Sequence, residues 1–177
     1  ALPIALKALA EVNAEDFHLT IIGDGPDDEY CKALAVRLGV QKACTFLGKI
    51  PNKAVLQHLK NSDMLFSTSV KERTSTIVLE SLSEGIPVLC HDTCGFGDIV
   101  NEKCGIKVPL SSNTLSVKYF SEALHKISRE PSILTSLSSG AVQERENLSW
   151  KENARRMFQV YKSALTKKAS VLKNGIN

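Results

Sequence analysis

Short apolar runs alternate along this chain with longer segments in which apolar residues recur every three or four positions. The first pattern marks strands buried in a sheet; the second marks helices that cover it. "ALPIALKALAEV", at the start, has the helical period. "FHLTIIGDGP" (17–26) is β-rich and ends in a Gly-Asp-Gly-Pro turn. Pro26 suits the start of the next helix, where a missing N–H costs nothing. Asp27, Asp28 and Glu29 suit that helix's positive end, and "EYCKALAVRLG" carries it to a stop at Gly39. The cycle then repeats. Strands are predicted at "ACTFLG" (43–48), "DMLFST" (63–68), "IPVLC" (86–90) and "CGIKVPL" (104–110), and helices at "PNKAVLQHLKNS" (51–62) and "TSTIVLESLSEG" (74–85). In the last helix Val78, Leu79, Leu82 and Ile86 form the apolar stripe, and Glu80 shares a more polar side with Thr76, Ser83 and Glu84. Beyond residue 111 the pattern is helical throughout: 114–129, 131–145, and a third helix from Ser149, where Ser149 and Glu152 have capping-box spacing.

Strands alternating with helices of this length predict an α/β fold. The specific expectation is a Rossmann-like parallel sheet with helices on both faces and a helical C-terminal segment. The strands are almost continuously apolar, as expected where both sheet faces are covered. Residues 1–177 read as a single domain, with 149–168 as its closing helix. The chain opens inside a helix with no initiator Met, so a piece of a longer protein is expected.

Composition narrows the classes. With 43% hydrophobic and 23% charged residues the chain can bury a full core. A net charge of +3 is too small to imply nucleic acid, although it leaves room for peripheral contact with anionic lipid. Five cysteines (Cys31, Cys44, Cys90, Cys94 and Cys104) form no CxxC pair, which reads as reduced thiols in a cytoplasmic protein. Cys90, His91 and Cys94 lack zinc-site spacing, and no second ligand pair follows. No apolar run is long enough to span a membrane.

In open α/β sheets, ligands sit beyond the carboxyl ends of the strands. The loops there are Gly23–Pro26, Gly48–Ile50, Ser67–Ser75 and His91–Gly97. The third carries Lys71, Glu72 and Arg73, then Thr74 or Ser75 as a helix cap. A helix N-terminus offers unpaired N–H groups and a partial positive charge, which suit a phosphate. Glu72 precedes that point and Glu80 follows it, and a carboxylate can accept bonds from vicinal hydroxyls. On spacing alone, each glutamate reads equally as solvated surface. The fourth loop, "HDTCGFGDIV" (91–100), is either a connecting loop or one where Gly95 and Gly97 admit a ligand, with Asp98 capping a following turn. His91 is the histidine at a strand's carboxyl end; His18, His58 and His125 read as structural.

In order, "LTIIGDGP", "FLGKIP", "LKNSDMLFSTSVKERTSTIVLESLSEGIPVLC", "CGFGDIV", "CGIKVPL" and "SWKENARRMFQVY" resemble the C-terminal half of retaining GT-B glycosyltransferases of the "glycosyl transferases group 1" family. The Glu-x7-Glu pair, Glu72 to Glu80, followed by Gly85 and Pro87, is the most specific part. The resemblance implies a nucleotide-sugar donor site. Glu72 would bond the donor sugar's hydroxyls and is the catalytic candidate, and Glu80 would hold the ribose. Backbone around Ser75, Thr76 and Ile77 would contact sugar or diphosphate. Gly23 would lie near diphosphate and ribose, and Gly48, Lys49 and Ile50 would meet the base. The family implies no metal and no cofactor. The acceptor, a glycan or lipid-linked sugar, would belong to a missing N-terminal domain, so the fragment alone is expected to bind nucleotide weakly and to be inactive. The final helix would cross toward that domain, leaving Met157 and Phe158 partly exposed. The implied setting is cell-envelope polysaccharide or lipopolysaccharide synthesis, in the cytoplasm or peripherally at the inner membrane face. Two departures stand out. Arg73, Thr74 and Ser75 replace the family's frequent Gly-x-Gly, and the resemblance implies that the Arg and Lys that grip diphosphate would lie upstream of this chain. Competing readings are a GT-B nucleotide-sugar epimerase and a non-catalytic, flavodoxin-like nucleotide-binding module.

Overall fold

The computed structural model describes residues 1–71 and 76–174, without the side chains of residues 94 and 167–174. Helix α1 (Leu2–Ala10) precedes β1 (Leu19–Ile22), α2 (Asp28–Arg37) and β2 (Cys44–Gly48). Then follow α3 (Asn52–Lys60), β3 (Leu65–Ser67), α4 (Thr76–Ser83), β4 (Val88–Asp92), α5 (Cys94–Ile99) and β5 (Gly105–Pro109). Three helices close the chain: α6 (Asn113–Arg129), α7 (Ser132–Asn147) and α8 (Trp150–Asn174). All strand pairs are parallel and fall in two sets, β1–β2 and β3–β4–β5. Parallel neighbours need a crossover, which α2, α4 and α5 supply.

Strand β4 shows why helices cover both faces. Successive side chains of a strand point to opposite faces. Leu89 joins a core with Leu6 of α1, Leu34 of α2 and Phe120 of α6. Val88 and Cys90 join another with Val78 of α4, Phe96 of α5 and Ala141 of α7. Each fully buried Val, Leu or Phe side chain here contributes roughly 1.5–3 kcal/mol. The expected α/β architecture, with parallel strands flanked by helices, is therefore present.

Several local expectations need correction. Residues 94–99 of the expected glycine-rich loop are helix α5. Burial of Phe96 and Val100 outweighs the helix cost of two glycines. A Cβ on Gly97 would stand 2.8 Å from Asp92 Oδ1, the far end of an exposed side chain that can turn aside. Asp98 lies within this helix and does not cap a later one. Strand β4 begins two residues late and continues through His91 and Asp92. Pro26 lies in a turn closed by Asp28 N–H on the Gly25 carbonyl (3.1 Å), so α2 starts later. On α4 the buried set is Val78, Ser81 and Leu82, whereas Leu79 is exposed. The capping box forms by half. Glu152 N–H donates to Ser149 Oγ (3.2 Å), but the Glu152 carboxylate is taken by Arg155 and Arg156 and Ser149 N–H by the Glu146 carbonyl. Met157 and Phe158 are exposed, as expected.

Candidate functional site

The loops after β1 and β2 meet. Gly23 N–H donates to the Gly48 carbonyl at 2.9 Å. Gly23 has φ +126° and Gly48 φ +63°, and a Cβ on either would meet open space. Backbone angle, and not crowding, is what excludes other residues from both positions. Lys49 is exposed and Ile50 half-buried beside this pair. Three of the predicted base and diphosphate contacts, Gly23, Gly48 and Lys49, thus form one open rim.

The second part of the site follows β3. Thr68 is buried, and its hydroxyl donates to the Ala1 carbonyl at 3.0 Å, so the start of α1 lies against the end of β3. Glu72 and Ser75 fall outside the described residues, as does the proposed capping by Thr74 or Ser75. Thr76 opens α4 and is exposed, with Ile77 half-buried behind it. Glu80 is one helical turn further on, on the same face as Thr76, and half-buried. The far end of α4 is tied down. Ser81 Oγ donates to the Ile86 carbonyl (2.9 Å), and Ile86 N–H donates back to the Ser81 carbonyl (2.9 Å). Gly85, at φ +75°, accepts from Ser138 Oγ of α7 at 2.7 Å. The helix is fixed at its C-terminal end and on its buried side, and Thr76 stands exposed at its described N-terminal end. Such an end, with a carboxylate one turn inward, can take an anionic group at its N–H groups and hydroxyls at the carboxylate.

His91 does not face open solvent. It is fully buried, with Nδ1 3.2 Å from the Ser69 carbonyl and Nε2 3.0 Å from Ser116 Oγ. Burial pushes its pKa below the usual histidine range. Lys107 was missed in the sequence. Its ammonium reaches the Gly97 carbonyl (2.9 Å) and Asp92 Oδ1 (3.2 Å), which satisfies the last turn of α5. A lysine in the otherwise apolar "GIKVP" was the available signal. Shallow depressions of ≈ 450 and ≈ 400 Å³ lie on α6, around His125 and Arg129, and on α8, around Lys162. Each is walled by a single helix and neither takes in a predicted donor residue. Among the described residues, no helix is long and apolar enough to cross a membrane.

The family model "Glycosyl transferases group 1" matches residues 2–157. Lipopolysaccharide 1,6-galactosyltransferase of Salmonella typhimurium is 37% identical over 79 residues, covering 44% of this chain and 22% of that protein. Lipopolysaccharide glucosyltransferase WaaG of Escherichia coli is 24% identical over 152 residues, 85% of this chain and 36% of its own length. The chain spans about a quarter to a third of the length of the curated relatives it matches. Among solved structures, WaaG superposes with a TM-score of 0.70 at 21% identity, covering 81% of this chain and 38% of that one. The pneumococcal O-GlcNAc transferase GtfA, solved with UDP and GlcNAc, gives 0.76 at 16% identity over 92% of this chain and 33% of its own. A family match running from α1 into α8, on a fold shared with GT-B glycosyltransferases, places this chain in the glycosyl transferases group 1 family.

Proposed function

We propose that this chain is the nucleotide-sugar donor domain of a retaining glycosyltransferase. The whole protein would move a sugar from a nucleotide-sugar to a glycan or lipid-linked acceptor, in cell-envelope polysaccharide or lipopolysaccharide synthesis. The observation that carries the reading is α4, anchored at Gly85 and through its buried face, with Thr76 exposed at its described start and Glu80 one turn inward. Its N-terminus would stabilise charge on the departing diphosphate, and Glu80 would accept the ribose hydroxyls. The Gly23–Gly48 rim would let backbone approach the base and phosphates. Glu72 would bond the sugar near the reacting carbon. This scheme assigns no step to a metal or cofactor.

Structural neighbours solved with UDP and GlcNAc, or with UDP and glucose, support a nucleotide-sugar partner. Relatives named for lipopolysaccharide and for diacylglycerol products support a cytoplasmic protein working at the membrane face. The acceptor would be held by a domain outside this chain. Exposed Trp150, Met157, Phe158 and Leu165 on α8 support a helix that closes against such a domain.

The test is titration of UDP, GDP and ADP, in the 177-residue chain and in the full-length protein, beside Glu80→Ala. One nucleotide should bind. Glu80→Ala should weaken it about tenfold, the value of one lost charge-assisted hydrogen bond, at an unchanged melting temperature. Full-length protein that binds none of them, or a Glu80→Ala variant that binds as wild type does, would refute the reading.

A further inference from the structure

The strands fall in two sets with a seam between them. Among the described residues, β1 pairs with β2 alone and β3 with β4 alone, and no ladder joins β1 to β3. Yet both sets lie on one core. Leu19 of β1, Phe46 of β2, Phe66 of β3 and Leu89 of β4 all pack in the cluster that holds Leu6 of α1 and Phe120 of α6. Two sheets over one core amount to a single layer with a break in it.

The strands beside the break carry its marks. Val88 to His91 of β4, which has a neighbour on each edge, are buried, whereas every residue of β1 and of β3 is only half-buried. Apolar parallel strands ordinarily lie buried on both faces. Nor are the two edges guarded. Natural proteins blunt an open strand edge with lysine or proline. β5, on the outside, has Lys107 and Pro109, but "LTII" of β1 and "LFS" of β3 carry neither charge nor proline. The backbone N–H and C=O groups along these two edges are a template for one more strand.

Its direction follows from α1. In this chain α2 leads from β1 to β2, α4 from β3 to β4 and α5 from β4 to β5, each joining neighbouring parallel strands. α1 leads into β1, and it begins beside the carboxyl end of β3, where the Thr68 hydroxyl donates to the Ala1 carbonyl at 3.0 Å. A strand that feeds α1 therefore ends level with β3 and beside it, and runs parallel to it.

We propose that one parallel strand, formed by the residues immediately before Ala1 in the full-length protein, fills the seam between β1 and β3 and joins the two sets into one sheet. It has ordinary strand length, about five residues, and is apolar at successive positions, as its neighbours are. The strand does not depend on the donor-domain reading, but it bears on it. The Gly23–Gly48 rim belongs to one set and α4 to the other, so this strand fixes their spacing.

The measurement is amide hydrogen exchange at residue resolution on the full-length protein, with no nucleotide present. A strand paired on one edge protects only alternate amides; a strand paired on both protects them consecutively. The amides of Leu19–Ile22 and Leu65–Ser67 should all exchange within about tenfold of those of Val88–Cys90 in β4. Proline at a position in the strand before Ala1 removes a ladder donor, and should lower the melting temperature and speed exchange in β1 and β3. Alternating protection in the wild-type protein overturns the proposal. Consecutive protection that is lost on dilution assigns the seam to a second molecule and overturns it as well. So does protection that every proline variant retains, because another segment then fills the seam. Should the proline variants fail to fold, the wild-type pattern and its response to dilution still decide.

Discussion

Replacing Gly140 with alanine should destabilise the protein although it removes a glycine from the middle of a helix. In an open helix that exchange gains about 1 kcal/mol. Here the added Cβ would stand 1.9 Å from the Lys103 carbonyl oxygen and 2.6 Å from its carbon. The obstacle is backbone, and that backbone is held. Lys103 N–H donates to Asn101 Oδ1 (2.9 Å), while the N–H groups of Cys104 and Gly105 both donate to the Asn101 carbonyl (3.1 and 3.0 Å). Overpacking a closed contact costs about 1–3 kcal/mol, and a fixed main-chain neighbour puts this case at the upper end. Net of propensity, roughly 2 kcal/mol is lost. For a chain of this length that corresponds to a fall of about 4–8 °C in Tm. Thermal unfolding followed by far-UV circular dichroism reads it directly. Ser139→Ala, an exposed neighbour that adds no atom, should stay within about 0.5 kcal/mol of wild type. A Gly140→Ala protein that melts at or above the wild-type temperature would refute the packing argument. The effect should also reach the site, because α7 holds the end of α4 through Ser138 and Gly85.

Other outcomes follow from charge and burial. The hydrogen bonds from Arg155 hold the Glu152 carboxyl at about 2, below its ordinary 4.5. A lowered folded-state pKa contributes stability that is complete above 4.5 and disappears as pH falls toward 2. Helix content should fall across that window and fall less in Glu152→Gln; superimposable profiles would contradict the assignment. Burial lowers the pKa of His91 below 6.5, so the folded state favours its neutral form and stability should decline as pH drops below that value. His91→Asn should flatten this slope in Tm measured against pH. Burial also pushes the Cys90 thiol up to about 12. Mass spectrometry after iodoacetamide treatment near pH 8 should find Cys90 unmodified in native protein and alkylated once guanidinium is added.

The alternation of strands and helices was legible because burial on both faces leaves long apolar runs such as "IPVLC". Errors gathered where a polar residue found its partner inside the fold. His91 and Asp92 look like the start of a loop, yet both extend β4, one satisfied by Ser69 and Ser116, the other by Lys107. Those partners are distant in sequence, so no local pattern announces them. "CGFG" reads as a turn for the same reason. Its helix depends on burying Phe96 and on an ammonium from β5 at the Gly97 carbonyl. The site divides along the same line. Thr76 and Glu80 were legible as one face of one helix, because a 3.6-residue period relates them without any tertiary information. The Gly23–Gly48 contact needed β1 and β2 to pair first, in a register that slips between Ile21 and Ile22 and sets Ile22 against Gly48. What singled out Gly23 and Gly48 as candidates was the order of landmarks along the chain. Such an order is informative because a βαβ chain deposits each strand's carboxyl end beside the next, so sequence order becomes neighbourhood at a single edge.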